Sequence, residues 1–254
     1  MPTPLFSVRN LAKSYGTKRV LEAVDFDVLR GECLVILGRS GSGKSVTLRH
    51  LNGLEPPDHG SVVFDGREIV GLSERELFPI RRRIGMLFQG GALFDSMTVF
   101  ENVAFPLREH TALSESEIEA KVREKLTLVR LADVLEKMPS DLSGGMKKRA
   151  ALARSLALDP EAMLFDEPTT GLDPITSATI GHLIQSIRRN LGVTSVVVTH
   201  DLPLAHRVAD RIAFLDQGRF AFVGTWEEAE RAAKNNSELS AFLEGKEDSD
   251  AVAA

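Results

Sequence analysis

The stretch Gly-Arg-Ser-Gly-Ser-Gly-Lys-Ser at residues 38–45 decides the fold of this chain. It follows an apolar run at residues 33–37, which predicts a buried strand, and it leads into residues 45–51, which predict a helix. Glycines let the backbone N–H groups of such a loop curl towards a phosphate, and the helix N-terminus adds a favourable dipole. This pattern is typical of a P-loop that binds ATP, in which Lys44 pairs with the β- and γ-phosphates and Ser45 binds Mg²⁺. The residues predicted to line this nucleotide site are Gly38, Arg39, Ser40, Gly41, Ser42, Gly43, Lys44, Ser45 and Val46.

Short apolar runs alternate with segments of helical pattern along the chain, as is typical of a largely parallel sheet covered by helices. Near the start, apolar residues 24, 26 and 28 alternate with two aspartates, and residues 61–64 precede an Asp65-Gly66 turn. Both patterns predict a small antiparallel β layer. The expected fold class is therefore an α/β P-loop NTPase of the RecA-like type, with a mostly parallel sheet, an antiparallel β layer and an inserted helical subdomain. The strands predicted for the main sheet are residues 34–37, 84–88, 163–165, 195–198 and 212–215.

The helical subdomain is predicted between residues 90 and 161, where strand signals are absent. Within it, Ser114 and Glu117 predict a capping box ahead of apolar residues at helical spacing. Another helix has apolar residues at 180, 183, 184, 187 and 191 on one stripe and ends at Gly192, a common C-cap. The predicted division is an ATPase domain at residues 1–243, with a RecA-like core at about 1–89 and 162–225, the helical subdomain at about 90–161, and a disordered acidic tail at 244–254.

The composition argues against several classes of protein. A net charge of −5 without a cluster of Lys and Arg argues against a nucleic-acid partner. No apolar run approaches the roughly 20 residues of a membrane-spanning helix, and the first ten residues lack a secretory pattern, so we expect a cytoplasmic location. The single cysteine, Cys33, lies in an apolar run, which favours core packing over a reactive thiol.

Two adjacent carboxylates end a predicted buried strand, which is unfavourable unless a cation or a reaction uses them. Asp166 is assigned to the Mg²⁺ shell, and Glu167, expected on the opposite face of the strand, would orient or deprotonate an attacking water. The alternative is a solvated acidic end of a strand. His200 follows another predicted strand, which would bring its imidazole to the same edge of the sheet, and a structural histidine is the alternative.

A second helix end also suits a phosphate. Residues 142–146, Leu-Ser-Gly-Gly-Met, introduce a predicted helix. The Ser143 hydroxyl and the N–H groups at this helix start suit an anion, although an ordinary capped helix is the alternative.

These motifs, in their order from Tyr15 to His200, closely resemble the nucleotide-binding subunits of ATP-binding cassette (ABC) transporters. The resemblance implies that Tyr15 stacks on adenine, that Gln89 senses Mg²⁺ and the attacking water, and that Asp173 crosses a dimer seam. A core aromatic is the alternative for Tyr15. The resemblance implies the catalytic residues Lys44, Gln89, Glu167 and His200, the metal ligands Ser45, Gln89 and Asp166, and further nucleotide contacts from Ser143, Gly144, Gly145 and Asp173.

The resemblance also implies a homodimer with shared ATP sites. In it, Ser143 to Gly145 of one subunit meet the γ-phosphate held by residues 38–45 of the other. Because these contacts exist only in the closed state, ATP would close the dimer and hydrolysis would reopen it. Position 146 departs from the family pattern, since Met stands where Gln is usual and lacks the amide group of Gln.

Met146 and residues 88–107 are similar to the Mla-type branch, which moves phospholipids between the membranes of Gram-negative bacteria. This branch implies two partners, an integral membrane permease dimer and a lipid-binding protein with a mammalian-cell-entry (MCE) domain. It also implies a peripheral position on the cytoplasmic face of the inner membrane. The residues expected to border a groove for a cytoplasmic helix of the permease, with core packing as the alternative, are Phe94, Met97, Val99 and Phe100.

Four functions compete. The first is the ATPase subunit of a phospholipid transporter, and the second is the ATPase of an importer for a small polar solute such as an amino acid. A soluble ABC protein acting on DNA or the ribosome is disfavoured, because the chain lacks a long coiled coil, zinc cysteines and a second cassette. A structural or regulatory nucleotide-binding module is disfavoured by the intact Glu167 and His200.

Overall fold

The computed structural model describes residues 3–245. They form two compact units, the first built from residues 3–71 and 198–245 and the second from residues 72–197. The strands are β1 (Pro4–Tyr15), β2 (Lys18–Leu29), β3 (Cys33–Leu37), β4 (His59–Phe64), β5 (Arg67–Glu68), β6 (Ile84–Leu87), β7 (Ala162–Asp166), β8 (Thr194–Thr199), β9 (Arg211–Asp216) and β10 (Arg219–Gly224). The helices are α1 (Lys44–Leu51), α2 (Glu74–Arg81), α3 (Val99–His110), α4 (Glu115–Leu128), α5 (Gly144–Ser155), α6 (Pro174–Leu191), α7 (Leu202–Val208), α8 (Trp226–Ala233) and α9 (Ser237–Leu243).

The antiparallel sheet of the first unit has the strand order β2-β1-β4-β5. β1 is flanked by β2 and β4, with Val8 opposite Phe26 on one side and Val62 on the other. Asp65 and Gly66 link β4 to β5 with φ values of 51° and 76°, the left-handed geometry that a tight hairpin turn requires. The antiparallel layer expected from the sequence is confirmed.

The first unit also contains the strand order β10-β9-β3. β3 runs parallel to β9, with Leu34 beside Arg211 and Leu37 beside Phe214, and β10 is antiparallel to β9. All five residues of β3 are buried, including Cys33, whose predicted core packing is therefore confirmed. A strand covered on both faces needs apolar residues at every position, which explains the uninterrupted run in the sequence.

The strands of the second unit follow the order β8-β7-β6, and β6 runs parallel to β7 with Leu87 beside Phe165. Residues 90–161, all of which are described, carry helices and no strand. Ser114 and Glu117 form the expected capping box at the start of α4. The five strands predicted for the main sheet are confirmed to within one residue at each end.

Helix α6 ends at Gly192, whose φ of 66° is the left-handed C-cap expected from the sequence. Its predicted apolar stripe is buried from Ile180 to Ile187, but Leu191 is 44% exposed. The stripe is one turn shorter than predicted, because the last turn of the helix extends beyond the core. None of the helices in residues 3–245 is long and apolar enough to cross a membrane. The predicted disorder of the tail concerns residues 244–254, of which 246–254 lie outside the described residues.

Candidate functional site

The loop at residues 38–45 joins β3 to α1, and two of its positions demand glycine. A Cβ atom at Gly38 would lie 2.5 Å from the carbonyl oxygen of Leu215. Gly43 has a φ of 106°, and a Cβ atom there would lie 2.9 Å from the carbonyl oxygen of Val20. The loop therefore passes too close to β2 and β9 for any larger residue at these two points, which fixes its curl.

The ammonium group of Lys44 lies inside this loop. It donates hydrogen bonds to the carbonyl oxygens of Gly38 at 2.8 Å and Arg39 at 2.9 Å, and only 6% of Lys44 is exposed. The Ser42 hydroxyl is buried and has no hydrogen-bond partner within residues 3–245. A buried cation, an unsatisfied hydroxyl and the N–H groups of a helix start together suit the oxygens of a phosphate chain. Ser45, expected to bind Mg²⁺, is half-buried in the first turn of α1.

Tyr15 ends β1 with 46% of its surface exposed, so the alternative of a core aromatic is wrong. Its hydroxyl donates a hydrogen bond to the carboxylate of Glu55, which also pairs with Lys13 at 3.4 Å and Arg49 at 3.2 Å. Partial burial and the Glu55 carboxylate raise the pKa of Tyr15. The ring is thus held at its hydroxyl end and remains accessible, as stacking on a base requires.

His200 follows β8 directly and is exposed. The next residue, Asp201, caps α7 by accepting a hydrogen bond from the N–H of Leu204 at 3.0 Å. The N–H of Asp201 in turn donates to the hydroxyl of Thr199, also at 3.0 Å. These bonds fix the backbone on both sides of His200, so the imidazole extends from a rigid turn at the end of the strand.

In the second unit, Asp166 is the half-buried last residue of β7, and Glu167 beside it is 8% exposed. Glu167 has a φ of 45°, so it does not continue the strand, and the expectation that it lies on the opposite strand face is wrong. The alternative of a solvated acidic strand end is also wrong for Glu167, because the residue is buried. Its carboxylate accepts a long hydrogen bond from the Thr170 hydroxyl at 3.4 Å.

Gln89 is exposed in a turn two residues beyond the end of β6. Its carbonyl oxygen accepts a hydrogen bond from the ammonium group of Lys148 on α5. Lys148 is only 6% exposed, and this burial lowers its pKa although Asp166 and Glu167 oppose the shift. A buried lysine of α5 therefore holds the backbone of a residue predicted to sense Mg²⁺ and water.

The start of α5 is packed against the start of α6. Ser143 caps α5 by accepting a hydrogen bond from the N–H of Met146 at 3.3 Å. A Cβ atom at Gly145 would overlap Cγ2 of Thr176, so the two helices can approach only with glycine at this position. The segment predicted to meet a γ-phosphate is therefore fixed in place by its neighbour α6.

Asp173 caps α6, and its carboxylate is fully engaged in local hydrogen bonds. It accepts hydrogen bonds from the N–H groups of Ile175 and Thr176, both at 3.0 Å, and from the Thr176 hydroxyl at 2.5 Å. These bonds, that of the hydroxyl above all, lower the pKa of Asp173. Asp173 is solvent-exposed and Ile175 is 81% exposed, which a contact with a second subunit requires.

Each unit contains a part of the predicted site. The first contains Tyr15, residues 38–46 and His200, and the second contains Gln89, residues 143–145, Asp166, Glu167 and Asp173. Sequence reasoning missed Glu55 and Lys148. Lys148 lies three residues from the buried Gly145 and Ala151, and this helical spacing indicates the buried face of α5. No local pattern indicates Glu55, since its partner Tyr15 lies 40 residues away in the chain.

Residues 21–170 match the family described as ABC transporter. This chain belongs to that family. The matched region of the ABC protein includes the loop at residues 38–45, the turn at Gln89, the start of α5 and the carboxylates at the end of β7.

Several relatives of this ABC protein are named as ATP-binding proteins of transport systems. It is 41% identical over 244 residues to the intermembrane phospholipid transport system ATP-binding protein MlaF of Haemophilus influenzae, which covers 96% of this chain and 92% of that protein. It is 47% identical over 217 residues to the probable ribonucleotide transport ATP-binding protein Mkl of Mycobacterium leprae, which covers 85% of this chain and 62% of that protein. The chain thus spans only about three fifths of the length of the Mkl proteins it matches.

Solved structures of other ABC cassettes show the same fold. The ATP-binding cassette MJ0796, a dimer in a post-hydrolysis state with ADP and Pi, is 34% identical with a TM-score of 0.81, covering 87% of this chain and 98% of that one. cbiO1 of Clostridium perfringens is 28% identical with a TM-score of 0.82, covering 95% and 99% of the two chains. The α/β P-loop NTPase fold and the ABC ATPase family predicted from the sequence are confirmed.

Proposed function

We propose that this chain is the ATP-hydrolysing subunit of an ABC transporter that energises phospholipid transport between bacterial membranes through a separate permease. The observation that carries the substrate class is the match to MlaF, which extends over nearly the whole of both chains at 41% identity. A match over nearly the whole length of both chains supports a shared class of partner and substrate more strongly than a match to the nucleotide loop alone. The chain then lies in the cytoplasm, on the inner face of the inner membrane, with an MCE-domain protein as a further partner.

Hydrolysis would use the residues predicted for the nucleotide site. Lys44 and the N–H groups of the loop at residues 38–45 hold the triphosphate, while Gln89 and His200 orient the γ-phosphate and the attacking water. Glu167 takes a proton from that water as its oxygen bonds to the γ-phosphorus. The bond between the γ-phosphorus and the bridging oxygen breaks, and ADP and phosphate leave. The buried position of Glu167 supports this role, because a general base works best where solvent does not compete.

Mg²⁺ would be held by Ser45, Gln89 and Asp166. A hydroxyl, an amide and a carboxylate supply oxygen ligands, which Mg²⁺ prefers, and the ion would neutralise charge on the phosphates. Among residues 3–245 there is no cluster of three or more His, Cys, Asp or Glu that could hold a metal ion.

A homodimer would complete two such sites. Ser143 and the N–H groups at the start of α5 form a second phosphate-binding helix end, and a twofold dimer can place it against the γ-phosphate held by the other subunit. The packing of Gly145 against Thr176 supports this role, because a rigid helix start can bind a phosphate without losing further conformational freedom.

The permease would dock at a cavity of about 320 Å³ in the second unit. Phe94 and Phe105 line it with ring centroids 5.2 Å apart, and the Arg154 guanidinium lies 5.2 Å from the centroid of Phe94. The lining also includes Arg82 and His110 and no acidic residue, so we expect the docking segment to carry both apolar and acidic side chains.

The predicted groove residues differ in position. Phe94 lines this cavity, whereas Val99 is fully buried at the start of α3, so core packing applies to Val99. Met97 and Phe100 are half-buried and do not line the cavity. Of the four predicted groove residues, only Phe94 lines the cavity, and its ring contacts that of Phe105.

Ribonucleotide transport is a second candidate, because the Mkl relatives are the more similar in sequence. The phospholipid proteins are favoured because the match to MlaF extends over 96% of this chain, whereas the match to Mkl extends over 85%. An importer of amino-acid type solutes stays a prediction that no comparison favours.

The partners that co-purify with the full chain test the proposal. The tagged chain is isolated from native membranes in mild detergent, and its partners and bound lipids are identified by mass spectrometry. A permease, an MCE-domain protein and enriched phospholipid are the expected result. A periplasmic solute receptor in place of the MCE protein would contradict phospholipid transport, and the absence of any permease would contradict the transporter assignment.

A further inference from the structure

Lys148 is a buried lysine whose ammonium group has few partners. It is 6% exposed, and lysine is rarely buried unless its ammonium group is paired. Within residues 3–245 its ammonium group makes one hydrogen bond, to the carbonyl oxygen of Gln89, and it has no ion pair within 4.0 Å. The charges of Asp166 and Glu167 also favour a cation here, but the group that the ammonium binds directly is the backbone of Gln89, so the position of that backbone depends on Lys148.

Helix α5 connects this bond to the proposed phosphate contact. Ser143 caps the helix, and Lys148 follows one turn later on the same rigid element. A helix transmits a displacement of its first turn to its second almost unchanged, because each turn is fixed by backbone hydrogen bonds. Movement of Ser143 towards a phosphate must therefore move the ammonium group that holds Gln89.

The segment that follows Gln89 is also tied to α5 and α3. The Arg154 guanidinium on α5 lies over the ring of Phe94, at 5.2 Å from its centroid. Asn102 on α3 is fully buried, and its amide donates hydrogen bonds to the carbonyl oxygens of Phe94 at 3.1 Å and Met97 at 3.0 Å. Residues 89–94 are anchored at Phe94 in this way. A displacement of the Gln89 backbone must therefore be taken up by a local conformational change within residues 89–94.

We propose that Lys148 is a positioning residue that couples phosphate contact at the start of α5 to the backbone of Gln89, and so links the two ATP sites of a dimer. The inference rests on the proposed function, because the phosphate met by Ser143 belongs to the nucleotide of the other subunit, while Gln89 serves the nucleotide of its own. The burial of Lys148 supports it, since a desolvated ammonium group binds a carbonyl oxygen more strongly than a hydrated one.

The test compares Lys148→Met with Lys147→Met in the full chain. Methionine keeps the apolar stem of lysine but cannot donate a hydrogen bond, and Lys147 is an exposed lysine of the same helix. ATP turnover and its Hill coefficient, the Kd of a non-hydrolysable ATP analogue, and hydrogen exchange at residues 88–94 and 143–147 are measured. Lys148→Arg, which restores a cationic donor, is the rescue variant.

Lys148→Met is expected to reduce kcat by about tenfold or more and to lower the Hill coefficient towards 1, with little change in the Kd of the analogue. The analogue should still protect residues 143–147 from exchange but no longer protect residues 88–94. Lys147→Met should match the wild type, and Lys148→Arg should regain most of the lost cooperativity. If Lys148 had a purely structural role, Lys148→Met would lower the melting temperature, and the analogue would protect residues 143–147 and residues 88–94 from exchange to the same relative extent as in the wild type.

Wild-type turnover and cooperativity in Lys148→Met would overturn the inference and leave the proposed ATPase intact. If the wild-type chain itself hydrolysed no ATP, the proposed function would fail instead. If Lys148→Met did not fold, the wild-type exchange experiment would decide alone: protection of residues 143–147 without protection of residues 88–94 would also overturn the inference.

Discussion

Glu167 combines a left-handed φ of 45° with an exposed fraction of 8%. The backbone conformation costs about 1–3 kcal/mol in a residue other than glycine, and burial of a carboxylate adds to that cost. Glycine or asparagine would end β7 at this point with less strain. Both features are therefore better explained by the catalytic role proposed for this side chain than by the needs of the fold.

Glu167→Gln is expected to abolish ATP turnover without loss of ATP binding. Glutamine has nearly the same size and leaves the backbone strain unchanged, but it cannot take a proton from water. The rate of phosphate release should fall by at least about 100-fold, while the Kd for ATP measured by calorimetry stays near the wild-type value. Glu109→Gln, on the exposed side of α3, is the control and should keep its turnover. Undiminished hydrolysis in Glu167→Gln would remove Glu167 from the mechanism.

The buried side chain of His50 should make the free energy of unfolding depend on pH. It is 1% exposed, its Nδ1 lies 2.7 Å from the carbonyl oxygen of Glu55, and its Nε2 is buried without a partner within residues 3–245. Burial lowers the pKa of His50 from its ordinary value of 6.5. The unfolded chain therefore binds this proton more readily than the folded protein, so the free energy of unfolding falls as the pH drops below about 6.5, by at most about 1.4 kcal/mol per pH unit.

The variant His50→Asn should remove this dependence, because its amide nitrogen can replace Nδ1 as the donor to Glu55 and does not titrate. Melting temperatures measured over a pH series should decline below about pH 6.5 less steeply in His50→Asn than in the wild type. His59→Asn, an exposed histidine of the same unit, is the control and should follow the wild-type curve. Parallel curves for all three proteins would show that His50 does not contribute.

At the scale of elements, substitution of two adjacent glycines of α5 by alanine should affect stability differently. A Cβ atom at Gly145 would overlap Cγ2 of Thr176, whereas one at Gly144 would lie 3.6 Å from Cδ2 of Leu172, an ordinary contact. Thr176 cannot rotate away easily, because its hydroxyl donates a 2.5 Å hydrogen bond to Asp173. The start of α5 and the cap of α6 therefore form one packed unit.

Gly145→Ala is expected to destabilise the protein by about 1–3 kcal/mol, because the added methyl group overpacks this contact. Gly144→Ala should be neutral or slightly stabilising, since alanine favours a helix more than glycine does. The free energy of unfolding in urea measures both changes. The double variant Gly145→Ala with Thr176→Ser should recover much of the loss, because serine lacks the methyl group, and equal losses in the single and double variants would contradict the packing explanation.

At the scale of the whole molecule, the proposed shared site predicts a dimer that depends on ATP. In the Glu167→Gln background, ATP should shift the mass measured by light scattering from monomer to dimer, because the nucleotide is held and not hydrolysed. Ser143→Arg should prevent this shift without weakening ATP binding by the monomer, since a long cationic side chain cannot fit at the start of α5 beside a γ-phosphate.

The control for this prediction is Ser140→Arg, which adds the same side chain to an exposed serine three residues earlier. It should dimerise as the parent does. An ATP-dependent dimer that persists in Ser143→Arg would contradict the shared-site arrangement, although it would leave hydrolysis by the single chain unaffected.

Much of the fold could be predicted because its signals are local. The run at residues 33–37 is apolar throughout because β3 is covered on both faces, and Asp65-Gly66 marks a turn because its φ values are positive. The glycines, lysine and serine at residues 38–45 likewise predict a phosphate-binding loop from a few consecutive residues. By itself the sequence thus determined the fold class and the strands of the main sheet, and it predicted the nucleotide loop.

Only the tertiary structure decided how several side chains are held. Glu167 adopts a left-handed backbone conformation and does not continue β7. Lys148 binds the backbone of Gln89, 59 residues away in the chain, and Glu55 binds Tyr15, 40 residues away. Such contacts depend on which elements lie beside one another, and no local spacing encodes that. The loop at residues 38–45 follows from the sequence because its chemistry is built from consecutive residues, whereas the groups that orient Gln89 and Tyr15 come from distant elements that folding brings together.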